Sequence, residues 1–346
     1  MLEVRTLTDG GQEPPEVMAW ITDFVRDAQR TLDFAHYDLN VGPENAAALG
    51  GAIRAAAARG VAIRFLYNLD HRNPIPVPPP PEPDGDLIAS WRVPVRAIAG
   101  VPDLMHHKYV VRDRELVWTG SMNWTDDSFA RQENVLVIAR SPELAARFTE
   151  DFEQLWQTGA VERSGFVAKS FVPVGAHAVR AWFTPGHGAE LSHRIATAIA
   201  RAKRVRICSP VITSAPVLSA LAQGASEGKD IAGCVDAPQI GGVVHQWNVN
   251  GNVYWKLPLL RRALRSPFSG KRSNPWRPGP GLHDFMHAKV TICDDVVFVG
   301  SYNLSRSGEK NAENVLELKD AALAERLAAY IDEVRGRYPA LDLASS

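Results

Sequence analysis

The stretch Met105-His106-His107-Lys108-Tyr109-Val110-Val111-Arg112-Asp113 is followed by Thr119-Gly120-Ser121-Met122-Asn123 and by Glu133-Asn134-Val135. The chain then repeats it as Met286-His287-Ala288-Lys289-Val290-Thr291-Ile292-Cys293-Asp294, Val299-Gly300-Ser301-Tyr302-Asn303 and Glu313-Asn314-Val315. Counted from His106, the Ser, Asn and Glu lie 15, 17 and 27 positions on; counted from His287, they lie 14, 16 and 26 positions on. The single-residue offset falls between Asp and Gly, where a hairpin turn absorbs an extra residue at least cost. Residues two apart in a strand point the same way. His106 and Lys108 therefore share a face, with Ser121 and Asn123 on the strand that returns; His287, Lys289, Ser301 and Asn303 form the second set. So many polar groups on one face of an apolar hairpin must meet a ligand or each other, because unpaired burial is costly.

The flanking sequence repeats as well. Val4–Thr8 and Val179–Thr184 read as opening strands, and 15–30 and 190–203 as helices. Thr31–Asn40 and Arg204–Thr213 read as strands, 44–59 and 215–227 as Ala-rich helices, and Val61–Tyr67 and Ile231–Val235 as further strands. An irregular insertion follows in each half, 70–88 with its proline run and roughly 239–281. Each half closes with a hairpin, a strand and a helix (143–157 and 320–337). Alternating strands and helices predict an α/β fold: two similar lobes, 1–160 and 179–346, with mixed sheets flanked by helices, a linker at 161–178 and pseudo-twofold symmetry.

The 346 residues are 45% hydrophobic and 22% charged, which excludes extended disorder as the main state. No apolar run is long enough to span a bilayer, and the first twenty residues lack the pattern of an export signal. The three cysteines show no paired spacing, so neither a disulfide framework nor a cysteine zinc site is expected. A cytoplasmic location follows, with peripheral attachment to a membrane as an option. The net charge of −1 hides an asymmetry: residues 1–165 carry 16 basic and 24 acidic side chains (−8), and the remainder carry 22 and 15 (+7). A polyanion site must therefore be local, and the second half is the place for it.

His-x-Lys-(x4)-Asp with a following Gly-Ser-x-Asn, present twice, resembles the phospholipase D superfamily of phosphodiesterases. The resemblance covers nearly the whole chain. The first copy is especially similar to the branch of mitochondrial cardiolipin hydrolases and bacterial endonucleases. Those relatives usually carry one motif and form their site as dimers; this chain holds both copies, so one site within a monomer is expected. The resemblance implies that one imidazole attacks phosphorus to form a phosphohistidine. The other protonates the leaving oxygen and then activates water or an alcohol. It makes His106 the nucleophile and His287 the acid. Lys108, Lys289, Asn123 and Asn303 would hold the non-bridging oxygens, with added hydrogen bonds from Ser121 and Ser301. Glu133 and Glu313 would orient the imidazoles through their second nitrogens. No metal and no other cofactor is implied.

A lone His-x-Lys on a strand is ordinarily a solvated face; the duplication argues against that here. Asp113 and Asp294 read as structural, pinning the hairpin turn. His107 points to the opposite face and reads as structural, Cys293 as core. His245 and His283 are candidates for the cleft surroundings. The insertion 239–281 has no acidic residue and interleaves Trp247 and Trp255 with Arg261, Arg262 and Arg265. It reads either as a basic loop packed on its own domain or as a cleft wall for an anionic substrate. A lipid interface and single-stranded nucleic acid both suit that composition. The resulting expectation is a phospholipid substrate hydrolysed to phosphatidic acid and free headgroup, or transferred to an alcohol. A metal-independent nuclease is the alternative. A cardiolipin-synthase-like transferase and a non-catalytic nucleic-acid-binding scaffold come after it.

Overall fold

Two sheets of matching order carry the chain, and the duplication seen in the motifs extends to every strand around them. The computed structural model describes residues 1–70, 82–249, 251–265, 267–275 and 283–343. The first sheet contains β1 (Leu2–Leu7), β2 (Thr31–His36), β4 (Ala62–Leu69), β5 (Val95–Ala99), β6 (Lys108–Arg112), β7 (Leu116–Gly120) and β9 (Asn134–Arg140); a small pair, β3 (Leu39–Asn40) with β8 (Trp124–Thr125), stands beside it. The second sheet contains β10 (Val172–Val174), β11 (His177–Thr184), β12 (Arg204–Cys208), β13 (Asp230–Asp236), β14 (Phe268–Lys271), β15 (Val290–Cys293), β16 (Val296–Gly300) and β17 (Glu313–Lys319). The orders are β1-β9-β7-β6-β2-β4-β5 and β10-β11-β17-β16-β15-β12-β13-β14. Apart from the added β10, the second repeats the first strand for strand. In both, three strands run parallel (β2, β4, β5 and β12, β13, β14) and the motif hairpins join antiparallel.

The helices are α1 (Pro14–Arg26), α2 (Pro43–Ala58), α3 (Gly85–Ser90), α4 (Asp126–Ala130) and α5 (Pro142–Thr158) in the first half, and α6 (Gly188–Arg201), α7 (Ala215–Ser226), α8 (Ala237–Val249), α9 (Leu257–Ala263) and α10 (Ala321–Arg337) in the second. Local chemistry sets their ends. Ser141 caps α5 by accepting from Leu144 N, and Asp320 caps α10 by accepting from Leu323 N. Both caps follow the last strand of their sheet and aim the two long helices at the shared core. There Tyr109, Val111 and Val137 of the first sheet meet Phe183, Ile292 and Leu316 of the second, with Phe148 of α5 and Ile331 of α10 among them. Each such side chain contributes about 1.5–3 kcal/mol by burial, so the two sheets are held as one body. The outer faces are covered separately, by α1 and α2 on the first sheet and by α6, α7, α8 and α9 on the second.

Two expectations are corrected here. The segment 161–178 is not a free linker: β10 pairs antiparallel with β11, and Val161, Val167, Val172 and Val174 are buried in the shared core. Nor is 239–275 irregular. It forms most of α8, a short 3-10 turn at Tyr254–Lys256, α9, and β14, which pairs parallel with β13 as β5 does with β4. Apolar residues spaced for helix in α8 and α9 were masked by the basic and aromatic composition. The proline run, Pro74 to Pro81, lies outside the described residues, as do His71, Trp276 and Arg277.

Candidate active site

The Gly-Ser-x-Asn glycines decide how closely the motif hairpin meets the next strand. A Cβ on Gly120 would sit 2.2 Å from Val135 O, and one on Gly300 2.1 Å from Asn314 O. No side chain fits, so β7 lies tight against β9 and β16 against β17. The next residue then bonds across the same gap: Ser121 N donates to Val135 O and Ser301 N to Asn314 O, both at 3.0 Å. Val135 N and Asn314 N return the bond to Ser121 Oγ and Ser301 Oγ, again at 3.0 Å. The two serines are therefore built into the joint between the strands.

The histidines sit just ahead of β6 and β15, both buried. The segment carrying His106 is stitched across the lobes: His106 N donates to Ala312 O at 2.9 Å, and Leu104 N to Asn311 Oδ1 at 2.9 Å. Lys108 Nζ donates to His106 O at 2.8 Å and Lys289 Nζ to His287 O at 2.6 Å. Each lysine is thus drawn back along the face of its own histidine. The Tyr37 ring lies 4.5 Å from the His106 ring and 4.7 Å from Lys108 Nζ. On the other side Phe285 lies 4.6 Å from His287 and stacks on His283 at 4.1 Å. The side-chain oxygens of Asn123 and Asn303, both in this cluster by sequence register, have no partner among the described residues. Of the two amide atoms only the nitrogen donates, so it is the nitrogen that suits an anionic ligand.

The charges are uncomfortable without an anion. Burial pushes Lys108 down to about 7, against the pull of Glu313 and Asp38. Burial also pushes Lys289 well below its ordinary value, and the charge of Lys108 adds to this. His287 is driven down by burial, then by Lys289, Lys108, His106 and His283. Burial raises Glu313 to about 7 although Lys108 and Lys289 oppose it. Cations held where they are costly are suited to receive an anionic group that restores them.

The carboxylates behave differently from expectation. Glu313 Oε1 lies 2.8 Å from His106 Nδ1, as an orienting carboxylate should. Glu133 does not meet His287. It is fully buried against Lys271, with Nζ to Oε2 at 3.0 Å, and accepts from the Tyr338 hydroxyl. Lys271 also reaches Asp9 at 3.1 Å. The place beside His287 is taken by Asn134, whose Oδ1 is 3.2 Å from His287 Nδ1. Strand register gives the reason: Gly120 pairs with Leu136, but Gly300 pairs with Val315. The first lobe has one more residue between Gly and its partner, so Asn134, not Glu133, is the counterpart of Glu313. The matching Glu-Asn-Val triplets concealed this slip. The other offset is where the sequence puts it: the hairpin turn has three residues (113–115) between β6 and β7 and two (294–295) between β15 and β16.

Of the remaining candidates, Trp247 is buried under the Lys256 ammonium, 5.4 Å from its ring, and belongs to the outer core of the second lobe. Trp255, Arg261, Arg262 and Arg265 are exposed. His245 is exposed on α8. His107 is fully buried on the face opposite His106, with Nε2 2.9 Å from Asp151 Oδ2 and Nδ1 3.3 Å from Asn314 Nδ2. Asp113 and Asp294 tie the hairpin turns to the strand beside them. Asp113 accepts from Gln29 N, Arg30 N and Thr31 N, and Asp294 from Lys203 N and Arg204 N. Burial alone would raise the Asp113 carboxyl, but its three N–H donors hold it below the ordinary range. Asp113→Ala should therefore cost about 1–3 kcal/mol, at the lower end because the site is partly exposed, with turnover at the wild-type level. A lowered carboxyl stabilises above its ordinary range and loses that effect as pH falls through the folded value. The gap between variant and wild type in urea titrations should thus close in acid; a variant that loses turnover with full stability would contradict this role.

Comparison with known proteins agrees with this architecture. The family described as "Cardiolipin synthase, PLD-like domain" matches residues 21–156 and 193–335. The mitochondrial cardiolipin hydrolase of Mus musculus is 28% identical over 111 residues, 32% of this chain and 46% of that protein. The Homo sapiens protein of the same name is 29% identical over 112 residues, 32% of this chain and 40% of that protein. The chain thus spans less than half the length of these curated relatives. Among solved structures, phosphatidylserine synthase from Haemophilus influenzae superposes with a TM-score of 0.64 at 14% identity, covering 96% of this chain and 86% of that one. A fold of two sheets, a motif in each, and a family match over most of the sequence place this chain in the phospholipase D superfamily.

Proposed function

We propose that the protein is a phosphodiesterase that acts on phospholipids, releasing the headgroup and leaving phosphatidic acid, or passing the phosphatidyl group to an alcohol. The observation that carries the reading is the pair of buried imidazoles, each with Nδ1 against a side-chain oxygen of the opposite lobe, beside two buried lysines. In the first step His106 Nε2 forms a bond to phosphorus. The bond from phosphorus to the leaving oxygen breaks, and that oxygen takes a proton from His287 Nε2. In the second, water or an alcohol gives its proton to His287 and its oxygen to phosphorus, and the N–P electron pair returns to His106. Lys108, Lys289, Asn123 and Asn303 hold the non-bridging oxygens through both steps.

Lipid is favoured over nucleic acid by the near-neutral total charge and by the surface beside the second lobe. Trp255 is 56% exposed, Tyr254 55% and Val249 73%, next to Arg261 and Arg262. Aromatic and basic groups together suit an anionic interface. Lys256, at the same turn, reaches Thr213 O at 3.4 Å, and Thr213 N donates to Leu304 O beside Asn303. These bonds link the patch to the residue that follows Asn303, which supports its assignment to the site's surroundings. No helix of the described residues is long and apolar enough to cross a membrane.

The test is one preparation in EDTA, offered mixed phospholipid vesicles and single- and double-stranded DNA and RNA, with His106→Ala in parallel. Headgroup release that vanishes in the variant is the expected result. Strand cleavage with intact lipid would make the protein a nuclease; loss of turnover in EDTA that a metal restores would refute the metal-free scheme. Trp255→Ala with Arg261→Gln and Arg262→Gln should weaken binding to vesicles containing anionic lipid about 10-fold or more, at roughly 1 kcal/mol per basic residue. Sedimentation should show the effect shrinking at high salt; unchanged binding would return α9 to a structural role.

A further inference from the structure

We propose that Asn134 is the positioning residue of His287, and that its neutral amide, set against the carboxylate on His106, makes the two imidazoles chemically unequal. The inference rests on the two-histidine reading above. It begins from the register: Asn134 stands opposite Leu7 as Glu313 stands opposite Thr184, so the two side chains occupy equivalent places in their lobes. Each reaches across to the histidine of the other lobe.

The amide is not free to turn. Its Nδ2 donates to Ser128 O at 3.3 Å, and its Oδ1 accepts from Ser121 Oγ at 2.8 Å. The oxygen is therefore the atom facing His287 Nδ1. An oxygen only accepts, so His287 carries its proton on Nδ1 when neutral, and Nε2 faces the reaction. Glu313 does the same for His106, with a charge added.

That charge matters at one step only. When His106 Nε2 bonds to phosphorus, the ring with its Nδ1–H becomes cationic, and Glu313 supplies the counter-charge. His287 must do the opposite and give its proton away. The groups around it are Lys289 just ahead of β15, Lys108 and His106 from the first motif, and His283 and Asp284 from its own segment. Of the charged residues just before β9, Arg131 lies 3.7 Å from Asp284 and Glu133 is occupied by Lys271. An amide partner adds no anion beside the ring, so a protonated His287 gives up its proton readily. A carboxylate there would hold the proton back.

Asn134→Asp tests this with little change in shape. Imidazole nitrogens would be followed by NMR through a pH titration, and the rate–pH profile measured on bis(p-nitrophenyl) phosphate. The new carboxylate should raise the His287 titration by about one to three pH units and move the matching limb of the profile with it, leaving the limb of His106 in place. Glu313→Gln should lower the His106 titration, with only a smaller secondary change at His287 through the altered charge of His106. A His287 titration unmoved by Asn134→Asp, with a rate lowered evenly at every pH, would overturn the proposal and make Asn134 a packing residue. The NMR arm needs no substrate. Wild-type protein inert toward every phosphodiester would sink the functional reading while the titration still decides Asn134.

Discussion

His106→Ala should lower turnover by at least about 10^3-fold, and His287→Ala by about 10^2–10^4-fold, with both proteins folded. The two losses should differ in kind. Without His106 no N–P bond forms, so no phosphoenzyme can be trapped with any leaving group. Without His287 the first step still runs when the leaving group needs no proton, as with p-nitrophenolate. The second step then lacks its base, and phosphate should accumulate on His106, where mass spectrometry of the acid-sparing digest would find it. Label on neither histidine, or near-wild-type rates in either variant, would end the two-histidine scheme. Both side chains are buried against aromatic rings, so circular dichroism and thermal melting are needed to separate lost chemistry from lost fold.

Gly300→Ala should be strongly damaging for so small a change, by about 3 kcal/mol. Its Cβ would meet Asn314 O at 2.1 Å, Asn314 C at 2.9 Å and Val315 Cα at 2.9 Å. All three are backbone, so no rotamer relieves the clash. β16 must then move off β17 at the residue next to Glu313, and the carboxylate that holds His106 moves with it. Lower stability and lower turnover should come together. Gly242→Ala on α8, where nothing lies within 4 Å of the added carbon, is the control; there helix propensity predicts a neutral or slightly stabilising change. A Gly300→Ala protein with the wild-type urea midpoint would show that the two strands are not held as tightly as described.

Much of this was legible in the chain because it is local. Two-residue spacing placed His106 with Lys108 and His287 with Lys289 on common faces, and periodicity placed most strands and helices within a few residues. Repetition at matching offsets marks the two lobes, and the hairpin offset is visible in the motif spacing itself. The positive-φ aspartates, Asp113 at 56° and Asp294 at 53°, sit at turns where the motif alone suggested a pinning role. The insertion misled because composition outweighed spacing. Val244, Leu257 and Leu260 pack inward as helix residues, while the charges that drew notice point out.

What the sequence determined by itself is the set of reacting groups and their pairing within each hairpin, since those relations run along one or two strands. Only the tertiary structure decided which residue reaches each histidine from the opposite lobe. That choice depends on the register between β7 and β9 and between β16 and β17, and a shift of one residue turns every side chain to the other face. Glu133 and Glu313 are alike as letters in matching triplets. One is spent on Lys271 and the other on His106, because the lobes differ by a single residue that no local pattern marks.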